Sequence, residues 1–482
     1  MIVPSPQFLG FAAAAAIFYH LSSAIRWRQA ILLATNLLFL VSFSHDPVAL
    51  APFAGFLLIG YCSYRFTRGG RYPALFVALL VMTLLVFCWL KRYSFIPSVS
   101  FLPFPYLLVG LSYVFFRVMH VIIDGHQDAI DEPIGWLSYV NYTLNFTSLV
   151  SGPIQRYQDY SRMETSPVPL TLVDAGRAVE RIVVGYFKIS IVGMVLLALQ
   201  HQAISSLGTR VTLGGRVLDA ALLVAIYPIF LYFNFSGYID FVHGVARFFG
   251  IDLPENFDRP FSSENFLTFW SRWHITLSNW LKTYVYNPLM MAGLARITRP
   301  ALAPYVAVFG FFVTFFLVGL WHGQTSEFIF FGVTQGGGVA LNKLYQIVAA
   351  NRLGRAGYRA LCSNPIYIAA SRGLTFTWFA VTLLWFWSNW MQIGTFASTV
   401  GGAGTVLACL AVFVGASVVL AAKEALRALL LRVSWSVDPD EREPVLLSRY
   451  LRTAWSTALV VITVGVNVIL ASPAPDIVYR TF

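Results

Sequence analysis

Few side chains in this sequence carry charge. Asp, Glu, Lys and Arg make up 11% of the 482 residues, against 57% hydrophobic residues and a mean hydropathy of +0.68. A soluble domain carries roughly twice that charged fraction, so the composition excludes one and indicates an integral membrane protein. Carboxylates are the scarcer sign, 22 Asp and Glu against 33 Lys and Arg, giving a formal net charge of +11. Their rarity inside apolar runs, with no internal repeat, argues against a coupled glycan or lipid transporter. The basic excess suits cytoplasmic loops and anionic headgroups. Those residues are dispersed and no nucleic-acid motif accompanies them, so nucleic acid is not an expected partner.

Cysteine is also rare. Cys62, Cys88, Cys362 and Cys409 show no metal or redox spacing and read as small hydrophobes. No His-x-x-x-His pattern and no serine elbow is present, so no metal site is expected. No stretch is long and polar enough for a separate soluble domain, and residues 1–482 read as a single membrane domain. The N-terminus lacks the positive n-region of a cleaved signal, so Phe8 to Leu21 is expected to stay as a first span.

What the chain does have is aromatics and long apolar runs. Its 41 Phe, 23 Tyr and 13 Trp suit lipid interfaces and aromatic-walled cavities. Runs of spanning length lie near 7–24, 29–44, 47–64, 73–91, 103–123, 182–206, 217–238, 302–321, 326–349, 373–394, 403–422 and 453–471. The expected fold is therefore all-α and polytopic, with about eleven or twelve spans. Two further stretches, 134–154 and 264–290, are apolar but interrupted and read as re-entrant or interfacial helices. Arg26 and Arg28 in the first loop, and Arg65, Arg68 and Arg71 in the third, place both loops in the cytoplasm and the N-terminus outside. Lys91 and Arg92 fit that alternation poorly. The polar segment Lys423 to Arg452, with its core Asp438 to Pro444, reads as a cytoplasmic loop.

Two histidines sit beside tryptophan in this apolar chain. His274 lies in FWSRWHITLSNWLKTYVYNPLM, Phe269 to Met290, and His322 in GLWHG, Gly319 to Gly323. A buried imidazole must be paired or used, and it titrates near neutrality. A continuous helix over 264–290 would put Leu267, Trp270, His274, Leu277 and Leu281 on one face. Arg272 and Asn279 would lie on the other, and Ser278 one turn from His274. His274 then reads either as a core histidine satisfied by a hydroxyl or as a working one. His322 reads either as an interfacial histidine beside a belt tryptophan or as a base held between two glycines. Arg272 and Lys282 suit either lipid headgroups or the phosphates of a donor. Asp240 and His243, three apart, are expected to form a local pair.

These residues carry a resemblance. SGYIDFVHGVARFFGIDLPENFDRPF from Ser236, then FWSRWHITLSNWLKTYVYNPL, then GLWHG, with SGPIQRY from Ser151, resemble the membrane-bound O-acyltransferase family. The closest likeness is to its bacterial branch that acetylates exported polysaccharides. One departure follows YNPL: relatives continue with a Gly-Gly-Asn-Arg-like turn, whereas this chain has Met-Met-Ala-Gly-Leu-Ala-Arg. The resemblance implies acyl transfer from a thioester to a hydroxyl, with His322 and His274 catalytic in a central tunnel. Trp270, Trp273, Trp321, Ser278, Arg272 and Asn279 would contact substrate. It implies acetyl-CoA or another acyl thioester as donor substrate and no permanently bound cofactor. It also implies a bacterial inner (plasma) membrane setting, with a periplasmic or membrane acyl-relay or esterase-like protein and a polysaccharide synthase as partners. D-alanyl transfer to teichoic acid from a carrier protein is the alternative within the family.

Overall fold

The computed structural model describes residues 1–93, 96–97, 101–167, 169–433 and 449–470. All regular structure among them is helical, apart from one isolated β-bridge between Phe257 and Trp273. Seven helices are long and apolar enough to cross a bilayer: Pro47–Gly70, Pro73–Leu90, Leu172–Leu207, Leu213–Arg247, Pro300–His322, Pro365–Trp387 and Trp390–Leu429. The runs expected near 7–24, 29–44 and 103–123 form helices Pro6–His20, Ile25–Val41 and Leu111–His126. Their starts follow the sequence. Ser5, Asp46 and Asn364 cap the first turns of three helices through side-chain oxygens, each followed by proline at the start of the helix.

The chain divides into two compact units. Among the described residues, one joins Met1–Tyr186 to Phe235–Glu255, and the other joins Phe187–Asn234 to those within Asn256–Pro475. In the first, Phe8 packs its ring on Phe39 at 5.4 Å and on Phe241 at 6.0 Å between centroids. The interrupted stretch 134–154 is helical only over Trp136–Thr143 and then runs buried and irregular to Gln155. Helix ends leave carbonyls without partners, and buried ones must be satisfied. Arg117, itself 1% exposed, does this. Its guanidinium donates to the carbonyls of Tyr142 at 3.3 Å, Thr143 at 2.9 Å and Ser148 at 2.8 Å, and to Ser148 Oγ at 2.7 Å. Asn36 Oδ1 accepts from Phe146 N at 2.9 Å, and Gln155 O accepts from the Tyr142 hydroxyl at 2.6 Å.

The expected Asp240–His243 pair is not the arrangement found. Asp240 pairs with Arg181 at 3.0 Å, and His243 Nδ1 faces Glu255 at 3.9 Å. Arg181 reaches both carboxylates, holding Glu255 at 2.7 Å. A longer guanidinium from another helix displaces the short local pair, because its fork satisfies two acceptors at once.

In the second unit, helices Ala303–His322 and Ser326–Cys362 form a tight hairpin. A Cβ on Gly319 would overlap the Gly332 backbone, and one on Gly336 would press on the Phe312 carbonyl. Gly337, by contrast, faces open space. Helices Pro365–Thr382 and Trp390–Val433 close the unit, with Ala221, Phe376, Ala380, Ala408 and Val412 packed together. The expected loop from Lys423 begins as helix instead, which runs on to Val433. Alanine and leucine there favour helix over the turn chemistry further on. The Asp438 to Pro444 core lies outside the described residues.

Arg117→Leu is expected to remove the donors of four buried oxygens and to cost at least about 3 kcal/mol. The check is the melting temperature of the detergent-purified protein. Arg117→Lys, with one compact donor head, should lie between the two, and a Leu variant as stable as the parent would show that the carbonyls have other partners.

Candidate active site

His322 is the last residue of helix Ala303–His322 and is 3% exposed. Gly323 ends the helix in extended backbone, and a Cβ there would overlap the Phe328 ring. Glycine is therefore needed for the chain to turn this closely into the next helix. Around the imidazole stand Trp321 at 4.6 Å, Phe386 at 5.0 Å and Phe331 at 6.0 Å between ring centroids.

His274 is placed by a break. The stretch 264–290 is interrupted, as its sequence suggests, and the interruption falls at His274, so the single apolar face of a continuous helix does not form. Helix Phe266–Trp270, capped by Asn265, stops at Ser271, and Ile275–Leu281 starts a new one. Between them His274 adopts φ 46°, ψ 53°, the left-handed conformation that costs a non-glycine residue about 1–2 kcal/mol. Its partner in this geometry is Asn256, in the loop Pro254 to Pro260. Asn256 O accepts from Ile275 N at 3.0 Å. Asn256 Oδ1 accepts from Thr276 N at 3.1 Å and from Thr276 Oγ1 at 2.6 Å. On the other side, Asp258 N donates to Arg272 O at 3.0 Å. The strained residue is thus held on both flanks by one turn of chain, Asn256 to Asp258, whose Asn256 is fully buried. His274 is 1% exposed and lies outside the spanning helices, and burial pushes its imidazole down to about 3, so the ring is neutral near pH 7.

Trp321 brings the histidines together. Its ring centroid lies 6.3 Å from that of His274 and 4.6 Å from that of His322, so both imidazoles lean on one indole. Trp270 packs on Phe315 of the His322 helix at 4.9 Å. The other sequence-selected residues lie further out. Trp273 stacks on Phe269 at 5.6 Å and meets Phe257 at 5.1 Å, inside an aromatic core. Ser278, half-buried, donates its hydroxyl to the Trp273 carbonyl at 3.4 Å. Arg272 is partly exposed, and Asn279 is exposed. Lys282 is exposed where the helix loosens into a π-turn, Lys282–Tyr286. Sequence reasoning passed over Asn256. Its signal was a lone amide between Glu255 and Phe257, in a loop otherwise read as a connection.

The arrangement offers two buried imidazoles, aromatic neighbours in Trp321, Phe331 and Phe386, and a backbone pinned by hydrogen bonds beside His274. Proton transfer beside a shielded carbonyl is the chemistry such a set can do.

Comparison with known proteins bears on the same residues. Residues 75–386 match the model of MBOAT, the membrane-bound O-acyltransferase family. The chain is 28% identical over 313 residues to the teichoic acid D-alanyltransferase of Bacillus subtilis (strain 168), covering 60% of this chain and 74% of that protein. It is 28% identical over 247 residues to the probable alginate O-acetylase of Pseudomonas aeruginosa, covering 51% of this chain and 45% of that protein. With the counterpart from Pseudomonas syringae pv. tomato it shares 30% over 244 residues, 49% of this chain and 43% of that protein. It thus spans about half the length of those two O-acetylases. The family match covers well over half of the chain and includes both histidines, so the chain belongs to the membrane-bound O-acyltransferase family and is a multi-pass membrane acyltransferase.

Proposed function

We propose that this acyltransferase moves an acetyl group from a cytoplasmic thioester, acetyl-CoA or another acyl thioester, to hydroxyls of an exported polysaccharide. The transfer crosses a bacterial inner membrane, either directly or through a periplasmic or membrane relay protein working with a polysaccharide synthase. The observation that carries the reading is the pair of imidazoles on the Trp321 indole. An alcohol is a weak nucleophile, and a histidine within hydrogen-bond reach of it speeds attack by about 10²–10⁴-fold. In this reading His322 takes the hydroxyl proton as the oxygen attacks the thioester carbonyl. Neutral His274 donates its N–H to the carbonyl oxygen as charge develops there. The C–S bond then breaks, and the thiolate leaves with the proton that His322 held. A thioester already has a good leaving group, so no covalent enzyme intermediate is needed. The aromatic walls keep out the water that would hydrolyse the donor.

D-alanyl transfer from a carrier protein to teichoic acid is the second reading. The observation favouring it is the longer match, 74% of the Bacillus subtilis D-alanyltransferase against 45% of the Pseudomonas aeruginosa O-acetylase. Purified protein offered labelled acetyl-CoA and a D-alanyl-loaded carrier, each with polysaccharide or teichoic acid, separates the two. Label should pass from acetyl-CoA to polysaccharide, and transfer only from the carrier would reverse the assignment.

Under the same assay His322→Ala should lose at least about 10²-fold in kcat while melting like the parent. Near-normal turnover by a folded variant would remove it as the base. His274→Asn keeps a side chain that tolerates left-handed backbone but lacks the ring. It should match the parent in stability and fall at least about tenfold in kcat. Asn256→Ala releases Thr276 and slackens His274. A drop of about tenfold or more in kcat with little change in donor KM is expected, with much of the rate restored in Asn256→Asp, which keeps the accepting oxygen. Equal loss in the Ala and Asp variants would mean that the amide acts by another route.

A further inference from the structure

A second site lies in the unit that holds the histidines, and neither histidine lines it. It is a cavity of about 620 Å³ between helices Ser326–Cys362 and Pro365–Thr382. That size is ordinary for a small-molecule site. Its walls change character along their length, and do so in step on two antiparallel helices. At one end stand Gly338, Trp378, Phe266 and Phe413, all without charge. At the other stand Tyr345, Gln346, Tyr358 and Tyr367, with the Tyr367 hydroxyl donating to that of Tyr345 at 3.1 Å. Gly338 lets the wall close at the apolar end, since the Trp378 indole packs where a Cβ would stand.

The mouth is apolar and open. Leu341 and Leu374 line the cavity and yet are 59% and 60% exposed, and Leu374 lies on the candidate span Pro365–Trp387, where exposure means exposure to lipid. Beyond the hydroxyl end the same helix kinks at Gly354, φ 70°, and carries Arg352, Arg355 and Arg359, all exposed. Arg355 and Arg359 flank Tyr358 in sequence. One carboxylate borders the cavity, Glu264, and Arg372 pairs with it at 3.4 Å. An apolar slot open to the bilayer, a hydroxyl collar and a basic rim describe an amphiphile with a negative head.

We propose that this slot binds one anionic phospholipid, with an acyl chain between Leu341, Leu374 and Phe413 and the phosphate toward Arg355 and Arg359. The site reaches the catalytic segment through rings. Phe266 at the cavity wall stacks on Phe269 at 5.6 Å, and Phe269 stacks on Trp273, the residue before His274. A seated chain therefore braces the aromatic layer beneath the left-handed turn.

The test is native mass spectrometry of the full-length protein, delipidated in detergent and then given phosphatidylglycerol or phosphatidylcholine of matched chains. One phosphatidylglycerol per chain should survive activation, at an occupancy on the order of tenfold above phosphatidylcholine, as two arginines near a phosphate provide. Ser371→Phe, which fills the slot, should remove that lipid. The exposed pair Arg355→Glu and Arg359→Glu should abolish the preference while leaving the fold intact, and it keeps the test standing if Ser371→Phe does not insert. Retention unchanged by these variants, or equal retention of the two lipids, would reduce the site to annular lipid and overturn the proposal. Displacement of the lipid by free coenzyme A would overturn it too, by making the slot a donor subsite.

Discussion

Backbone that leaves a helix while buried has no water to bond to, and each orphaned N–H or C=O there costs about 1–3 kcal/mol. Both interrupted stretches of this chain answer to that constraint, and they answer differently. Around Thr143 a single charged side chain, Arg117, gathers the loose carbonyls. Around His274 the loose groups are N–H donors, and a neutral amide, Asn256, accepts from Ile275 and Thr276 with its carbonyl and its side-chain oxygen. The first solution stabilises. The second also puts an imidazole where a regular helix would not put it, and the left-handed geometry is part of how that ring reaches Trp321.

A paired-imidazole site in an apolar wall suits acyl transfer because the reaction needs a base and a hydrogen-bond donor but no charged nucleophile. Surrounding charges would compete for the donor's polar groups, and water would consume it. The ring neighbours of the two imidazoles are instead aromatic, Trp321 between them and Phe331 and Phe386 beside His322. Tryptophan has a further use here. Trp321 meets two rings at once, edge-type with His274 and tilted against His322, an arrangement that a leucine of similar burial would not hold in register.

The helical membrane fold was legible because apolar runs of spanning length leave little room for another reading, and most helices extend the expected runs by their polar ends, as in Leu172–Leu207. GLWHG was legible because glycine on both sides of a histidine signals close approach, and the structure supplies the contact at Gly323. The break at His274 was not. The stretch reads as interrupted, but nothing between Phe266 and Asn287 is glycine or proline, so no local signal marks where the helix breaks. The interruption is imposed from outside, by the Asn256 loop competing for the backbone at Ile275 and Thr276. Arg117 was passed over for the opposite reason. It is one charge in the apolar run 103–123, and a lone charge in such a run is itself a signal of a buried polar partner. The Asp240–His243 pairing failed because spacing along one helix says nothing of Arg181, which arrives from another.

The glycine seam between Ala303–His322 and Ser326–Cys362 has a mechanical meaning. Side-chain interfaces can yield by rotamer changes, but at Gly319 and Gly332 backbone meets backbone and nothing softer lies between. The hairpin therefore moves as one stiff arm, with His322 fixed near its tip. Any breathing beside the two rings has to be taken up by the opposite wall, the hydrogen-bonded turn from Asn256 to Leu281. In this protein one histidine serves as the anvil, and the other sits on the part that can give.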